Sequence, residues 1–210
     1  EIRRHVAHGY PLMALKGAYD WLLDQGITPD YAVASDPQPE RAHCFRQRDD
    51  VIYLMASQMH PSVWAYLAGR HVIIWHSEIE FEQRLKPGWI GQALVPGGPT
   101  TGLRGLSLAY ILGYRQLELY GFDSCVKDGV YKLDGSRLRD GDMPVEVWIG
   151  KRRFESSTSL VPQVQNLMAT LLPWTKAYLG PGRTPLKVNA HGEGYFQAAL
   201  AEGKRLGWTV

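Results

Sequence analysis

Residues 51–75 read VIYLMASQMHPSVWAYLAGRHVIIW, and this stretch decides the fold. Val51–Ser57 is a continuous apolar run without polar alternation, as expected of a strand buried on both faces. Pro61 stands where a helix begins. Its missing N–H is one of the first-turn donors that have no helical partner anyway, which predicts a helix over Pro61–Leu67. His71–Trp75 returns to β-branched apolar residues. Strand, helix and strand in succession make a parallel βαβ unit.

The same alternation extends outward. Upstream, Tyr10–Leu15 reads as a strand and Ala18–Gln25 as a helix closed by Gly26. Tyr31–Ser35 is a second strand, ending at Asp36, and the segment after Pro39 (ERAHCFRQ) reads as helical. Downstream, Leu94–Val95 starts a short strand, Thr101–Leu112 is an apolar helix ended by Gly113, and Gln116–Tyr120 is another strand. The chain is therefore expected to be an α/β protein with a Rossmann-like, mostly parallel sheet and helices on both faces. The strands near 10–15, 31–35, 51–57, 71–75 and 116–120 are expected in one sheet.

After Asp123 the pattern changes. Residues 124–144 are polar and Gly-rich, with Asp128-Gly129, Asp134-Gly135 and Asp140-Gly141-Asp142, and read as a lid loop. A C-terminal extension follows. Val145–Ile149 and Arg153–Glu155 make a hairpin, a helix runs from about Leu160 to Leu172, Leu186–Ala190 is a strand, and Tyr195–Leu206 a helix. A single domain over 1–210 is expected, with its core in 1–123, the lid in 124–144 and the extension in 145–210.

Composition bounds the function. With 45% hydrophobic and 21% charged residues the chain is globular, and a net charge of +2 gives no basis for bulk nucleic-acid binding. No apolar run approaches the roughly 18 residues of a membrane span, and EIRRHVAHGY lacks a signal-peptide core, so a cytoplasmic location is the default expectation. Cys44 and Cys125 form no CxxC pattern and read as two buried thiols. The oligomeric state is not written in the sequence.

Four segments carry candidate chemistry. Gly97-Gly98-Pro99-Thr100-Thr101-Gly102 lies between a strand and a helix. Glycines allow close backbone approach, and the free N–H groups of a helical first turn attract anions, with Thr100 and Thr101 hydroxyls and Arg104 in reach. The bland alternative is a threonine N-cap. No Gly-Lys-Ser/Thr follows, so this is not a Walker motif. The double glycine favours a ligand, and Gly98→Val is expected to abolish nucleotide binding while leaving the fold largely intact. Tyr120-Gly121-Phe122-Asp123 and Ser35-Asp36-Pro37 each place a carboxylate at a strand end, where open α/β sheets bind ligands. Asp36 and Asp123 are expected to line one crevice and share a magnesium ion or a sugar hydroxyl. As plain structure, each would cap a turn. Lys16 follows the first strand as a point charge for a phosphate, or as a surface lysine. His60 in Ser57-Gln58-Met59-His60-Pro61 reads as a general acid/base or as a helix cap. His191-Gly192-Glu193-Gly194 closes the last strand as a tight turn.

In order and spacing, ALKGAYDWLLDQGITPDYAVASDPQPE (14–40), LMASQMHPSVWAYLAGRHVIIWH (54–76), GGPTTGLRGLSLAYILGYRQLELYGFDSC (97–125), GKRRFESS (150–157) and HGEGYF (191–196) resemble the MptE-like, or 6-hydroxymethylpterin diphosphokinase-like, family. That family looks like a distant relative of bacterial sialyltransferases that use CMP-sialic acid. The resemblance implies a Rossmann-like fold and a nucleotide such as ATP or a CMP-sugar. Archaeal members transfer diphosphate from ATP to a pterin with Mg²⁺, and other relatives act in surface glycosylation. Carried over by position, Gly97, Gly98, Thr100, Thr101 and Gly121 would face phosphates, and Asp36 and Asp123 the metal, ribose or acceptor. Members open with a strand and a Gly-x-Gly-Pro-Ser turn, a unit that would stand ahead of Glu1. Many have Asn where this chain has Lys16. The expected function is a nucleotide-dependent transferase acting on a pterin-like acceptor. The alternatives are a glycosyltransferase using a nucleotide sugar and a non-catalytic nucleotide-binding domain.

Overall fold

The computed structural model describes residues 1–39, 45–78, 94–98, 100–127, 129–130, 138, 141–171 and 186–207. The expected helix after Pro39, about half of the 124–144 lid, Pro99 and Cys44 lie wholly or partly outside these residues. Two compact units divide the chain, Glu1–Pro96 and Gly97–Val210.

The first unit is built on a five-stranded parallel sheet. In chain order its elements are α1 (Ile2–Ala7), β1 (Met13–Leu15), α2 (Lys16–Asp24), β2 (Tyr31–Ala34), β3 (Ile52–Ala56), α3 (Pro61–Tyr66), β4 (Val72–Ser77) and β5 (Leu94–Val95). The strands lie in sequence order, each parallel to the next. Residues of both parities on β2 and β3 are buried, so both faces of this part of the sheet are covered. The α/β, mostly parallel architecture is the one expected. α2 begins at Lys16 rather than Ala18, because β1 stops at Leu15. At its end Gly26 is left-handed and Ile27 N–H donates to Leu22 C=O, the closure anticipated for that glycine. The core here is aromatic. Tyr19, Phe45 and Tyr53 are almost fully buried, and Tyr19 OH reaches Tyr53 OH (3.3 Å) and donates to Arg46 C=O (3.1 Å). Those bonds meet the cost of burying hydroxyls.

The second unit contains α4 (Thr101–Ile111), β6 (Gln116–Tyr120), β7 (Pro144–Ile149), β8 (Arg152–Ser157), α5 (Val161–Asn166) running into a π-helical turn (Leu167–Leu171), β9 (Lys187–His191) and α6 (Tyr195–Arg205). β6 departs from expectation. It forms a two-stranded parallel sheet with β9, in register Gln116↔Lys187 to Tyr120↔His191, rather than a sheet with the strands of residues 10–75. Strand identity was readable from the apolar pattern, but the choice of neighbour depends on residues far along the chain. The expected hairpin is present as β7 and β8. α4 is buried from Leu103 to Tyr110 and packs, with Leu119, Val188 and Phe196, into one apolar core. Cys125 is half-buried rather than fully buried and accepts from Tyr195 N–H (3.0 Å). No helix among the described residues is long and apolar enough to cross a membrane.

Asp142 ties the end of the 124–144 segment to the close of β8. Its carboxylate accepts from Ser157 Oγ, Thr158 Oγ1, and both the N–H and Oγ of Ser159. Burial pushes its carboxyl up, but the bonds from Ser159, Thr158 and Ser157 outweigh that and hold it below the usual range. A lowered native pKa contributes stability above the unfolded value, near 3.9, and loses it as pH falls through the native value. Asp142→Asn is therefore expected to lower the melting temperature at pH 7, with the gap to wild type closing as pH falls from the unfolded value through the lowered native one. Melts across pH check this; a gap that persists at low pH would assign the loss to geometry instead.

Candidate functional site

The C-terminal ends of β1 to β4 carry a row of polar side chains. Lys16 opens α2 directly after β1, and its Nζ lies 3.2 Å from Asp36 Oδ2, two residues beyond β2. Gln58, two residues beyond β3, donates through Nε2 to Ser35 C=O (3.0 Å), and its Oε1 accepts from Ser77 Oγ (2.6 Å) at the end of β4. Parallel strands in sequence order bring these positions side by side. The edge where open α/β sheets form their ligand crevices is thus polar and cross-linked. Lys16 and Asp36 side chains are about a quarter exposed (22% and 25%), open enough to meet a ligand. Gln58 and Ser77 were missed from sequence. The signal was there, since Gln58 follows one apolar strand and Ser77 ends another, but an uncharged side chain at a strand end has no distinctive pattern.

His60 takes the plain role weighed for it. It is the N-cap of α3, with Nδ1 accepting from Ser62 N–H (3.3 Å) and 2.7 Å from Ser62 Oγ.

In the second unit, the Gly97–Gly102 turn is explained by packing. Gly97 has φ +145°, and a Cβ there would lie 2.8–2.9 Å from the backbone of Leu103 and Arg104. Gly98 has φ +70°, with its Cβ position 2.8 Å from the Asn166 side chain. The double glycine therefore need not mean a ligand. Gly98→Val would also strain the fold, contrary to the expectation that it leaves the fold intact, because a branched side chain has neither room nor an allowed φ. Thr100 is the N-cap of α4, its Oγ1 accepting from Leu103 N–H (3.4 Å). Thr101 follows it, and Arg104 is buried on the same helix.

Asp123 leaves β6 through a constrained turn. Gly121 (φ +73°) and Ser124 (φ +50°) flank it, and Ser124 is the non-glycine residue with positive φ among those described. Such outliers gather at functional sites, where surrounding contacts enforce them. Asp123 C=O accepts from Phe196 N–H (3.2 Å) in the first turn of α6. Its carboxylate accepts from Gln197 Nε2 (3.1 Å), which also donates to His191 C=O (2.9 Å). Gly192, at φ +121°, leaves room for that carboxylate, as its Cβ position is 2.8 Å from Asp123 Oδ1. The structure thus joins Lys16 with Asp36 in the first unit, and Asp123 with His191 and Gln197 in the second.

Magnesium asks for several oxygen ligands in near-octahedral array. Asp36 is already neutralised by Lys16, and Asp123 is bonded to an amide. Among the described residues no three His, Cys, Asp or Glu side chains are grouped to hold a metal. The described donor set does not fit a resident magnesium ion.

Comparison with known proteins agrees with this architecture. The family model described as 6-hydroxymethylpterin diphosphokinase MptE-like matches residues 2–129. No curated protein sequence matches the chain. Among solved structures, the MAf glycosyltransferase from Magnetospirillum magneticum AMB-1 is similar in fold, with a TM-score of 0.60 and 15% identity over 93% of this chain. The match covers 33% of that chain, so this sequence spans about a third of the length of that protein.

Proposed function

From the premise that the chain belongs to the 6-hydroxymethylpterin diphosphokinase MptE-like family, we propose that it is a nucleotide-dependent transferase. The observation that carries this is the polar row Lys16, Asp36, Gln58 and Ser77 at the ends of four adjacent parallel strands. Lys16 supplies a positive point charge for a phosphate oxygen. Asp36 holds that ammonium in place and offers its carboxylate to a ribose hydroxyl. Gln58, fixed between Ser35 and Ser77, presents a rigid edge to the rest of the nucleotide. Catalysis in such a site rests on positioning and charge compensation.

Two donors are weighed. Diphosphate transfer from ATP to a pterin-like acceptor follows the family's description. Glycosyl transfer from a nucleotide sugar follows the likeness to the MAf glycosyltransferase. The donor set favours the second. A CMP-sugar brings a single phosphodiester charge, whereas ATP brings a triphosphate that calls for a metal, and among the described residues no three His, Cys, Asp or Glu side chains are grouped to hold one. Magnesium would then arrive, if at all, bound to the nucleotide.

A thermal-shift series tests this with ATP, GTP, CMP, a CMP-sugar and a UDP-sugar, each with and without Mg²⁺. A CMP compound at thirty times its Kd is expected to stabilise the protein by about 2 kcal/mol without Mg²⁺. Stabilisation by ATP alone, and only with Mg²⁺, would return the reading to a diphosphokinase. Binding without turnover of any acceptor would make it a non-catalytic nucleotide-binding domain, and no shift with any nucleotide would end the proposal.

A further inference from the structure

The amide of Gln58 lies across neighbouring strand ends with its direction fixed. β3 has β2 on one side and β4 on the other. The register Ala56↔Trp75, continued by two residues, sets Gln58 opposite Ser77. The backbone there is held by Ser57 N–H to Trp75 C=O (2.8 Å) and Met59 N–H to Ala56 C=O (3.0 Å). Toward β2, Gln58 Nε2 donates to Ser35 C=O (3.0 Å). Toward β4, its Oε1 accepts from Ser77 Oγ (2.6 Å), on a fully buried residue. A carbonyl only accepts, so the amide cannot turn end for end without setting two oxygens against each other. A primary amide has two N–H groups and two lone pairs on oxygen. Gln58 is half-buried and makes no other hydrogen bond among the described residues. One N–H on the β2 side and one lone pair on the β4 side are left for a ligand.

We propose that Gln58 is a specificity-determining residue that selects an amino-bearing nucleobase, cytosine in the case of a CMP-sugar donor. This deepens the transferase reading and rests on it. That reading puts the phosphate at Lys16, after β1, and the ribose at Asp36, after β2. The base then comes to the next strand end in the sheet, that of β3. Three adjacent parallel strands span about 10 Å, the reach of a nucleoside monophosphate from its phosphate to the far edge of its base.

The sense of the amide makes the choice. Seen from the ribose side, Gln58 offers a donor first and an acceptor beyond it. Cytosine answers with its ring acceptor N3 and then its amino donor. Adenine answers in the same order, with N1 and then its amino group. Guanine runs the other way, from a donor at N1 to an acceptor at O6. Uracil sets the acceptor O4 where Gln58 Oε1 needs a donor. A free glutamine turns over to suit either kind of base; one anchored at both ends does not. Two acceptors brought face to face in a half-buried site both go unpaired, which is how polar sites reject near-identical ligands.

The test uses the full chain with CMP, AMP, GMP and UMP, so that phosphate and ribose stay constant and only the base changes. Titration calorimetry is expected to show CMP bound roughly 10- to 100-fold tighter than UMP, and AMP tighter than GMP by a similar factor. Gln58→Met keeps the length of the side chain and loses both polar groups, which should bring CMP and UMP to within about twofold of each other. Ser77→Ala releases Oε1, lets the amide turn, and should narrow the preference in part. N4,N4-dimethyl-CMP makes the same test without altering the protein: it has no amino hydrogen to give, and should bind wild type as weakly as UMP. Wild type that binds UMP or dimethyl-CMP as tightly as CMP would overturn the role of Gln58 and leave the transferase reading standing. So would an undiminished preference for CMP in a folded Gln58→Met chain. Failure of all the nucleotides to bind would take down both readings together.

Discussion

Gly194→Ala is expected to destabilise the protein by about 3 kcal/mol, the upper range for an added methylene in a closed site. Gly194 is the N-cap of α6, at φ −76° and ψ −178°, an extended conformation open to any residue. Backbone strain plays no part. The obstacle is contact: a Cβ there would lie 2.4 Å from Asp123 C=O and 2.8 Å from Asp123 Cα and Cβ. None of these atoms belongs to a flexible side-chain end, so the exit of β6 and the start of α6 must separate. Separation breaks Phe196 N–H to Asp123 C=O and Tyr195 N–H to Cys125 Sγ, and opens the core around fully buried Phe196. Calorimetry should show a fall in melting temperature of roughly 6–12 °C for a chain of this size. Gly150→Ala is the control. Its φ is +59° but its Cβ position is open, so it should cost only about 1 kcal/mol. Equal losses in the two variants would show that the close approach at Gly194 is relieved by a small shift.

Lys16→Met is expected to weaken nucleotide binding by about 2–3 kcal/mol, or roughly 30- to 150-fold, while changing stability by less than about 1 kcal/mol. The two numbers differ because the pair has two possible uses. As a partly exposed ion pair, Lys16 and Asp36 contribute little to folding. As a charge aimed at a phosphate, the ammonium makes a charge-assisted hydrogen bond that methionine of similar length does not replace. Titration calorimetry with the nucleotide that shifts the wild-type melt gives the affinity, and thermal melts give the stability. An unchanged Kd in Lys16→Met would show that the lysine is only a surface cation and would remove the main support for a phosphate at this edge.

Much of the first unit was legible before any coordinates. Tyr31–Ser35 and Val51–Ser57 announced themselves because a strand buried on both faces has no polar positions, a signal local to the strand. Gln116–Tyr120 was found to the residue for a related reason. Its partner was not, because pairing with Lys187–His191 is a long-range choice that no local pattern records. The N-terminal helix Ile2–Ala7 was missed, since none of its residues is buried and an unburied helix has no apolar stripe to read. In the site, Lys16 and Asp36 stood out as charges at strand ends, and adjacency of β1 and β2 then made them a pair. Gly97-Gly98 has a second explanation that the sequence does not show: glycine signals close approach or positive φ, and here the close neighbours are Leu103, Arg104 and Asn166 of the chain itself. His191 reads as a turn residue because its hydrogen-bond partner Glu118 is more than seventy residues away in the chain.

The consecutive strand order of the first unit bears on how the protein acquires its structure. Each strand from β1 to β4 docks beside the one made just before it, so every closure in that series spans a short loop and costs little chain entropy. Among the described strands, β6 pairs only with β9. Gln116 must wait for Lys187, and the hairpin β7–β8 lies between them. Low contact order in one half and a distant pairing in the other make assembly a sequence of events, early for residues that hold Lys16 and Asp36, late for those that hold Asp123 and His191. During synthesis from the N-terminus the early half can be complete while the late half is still missing its last strand. The interval in which β6 has an open edge is then the period of greatest exposure to misassociation, and it closes only when HGEG has emerged.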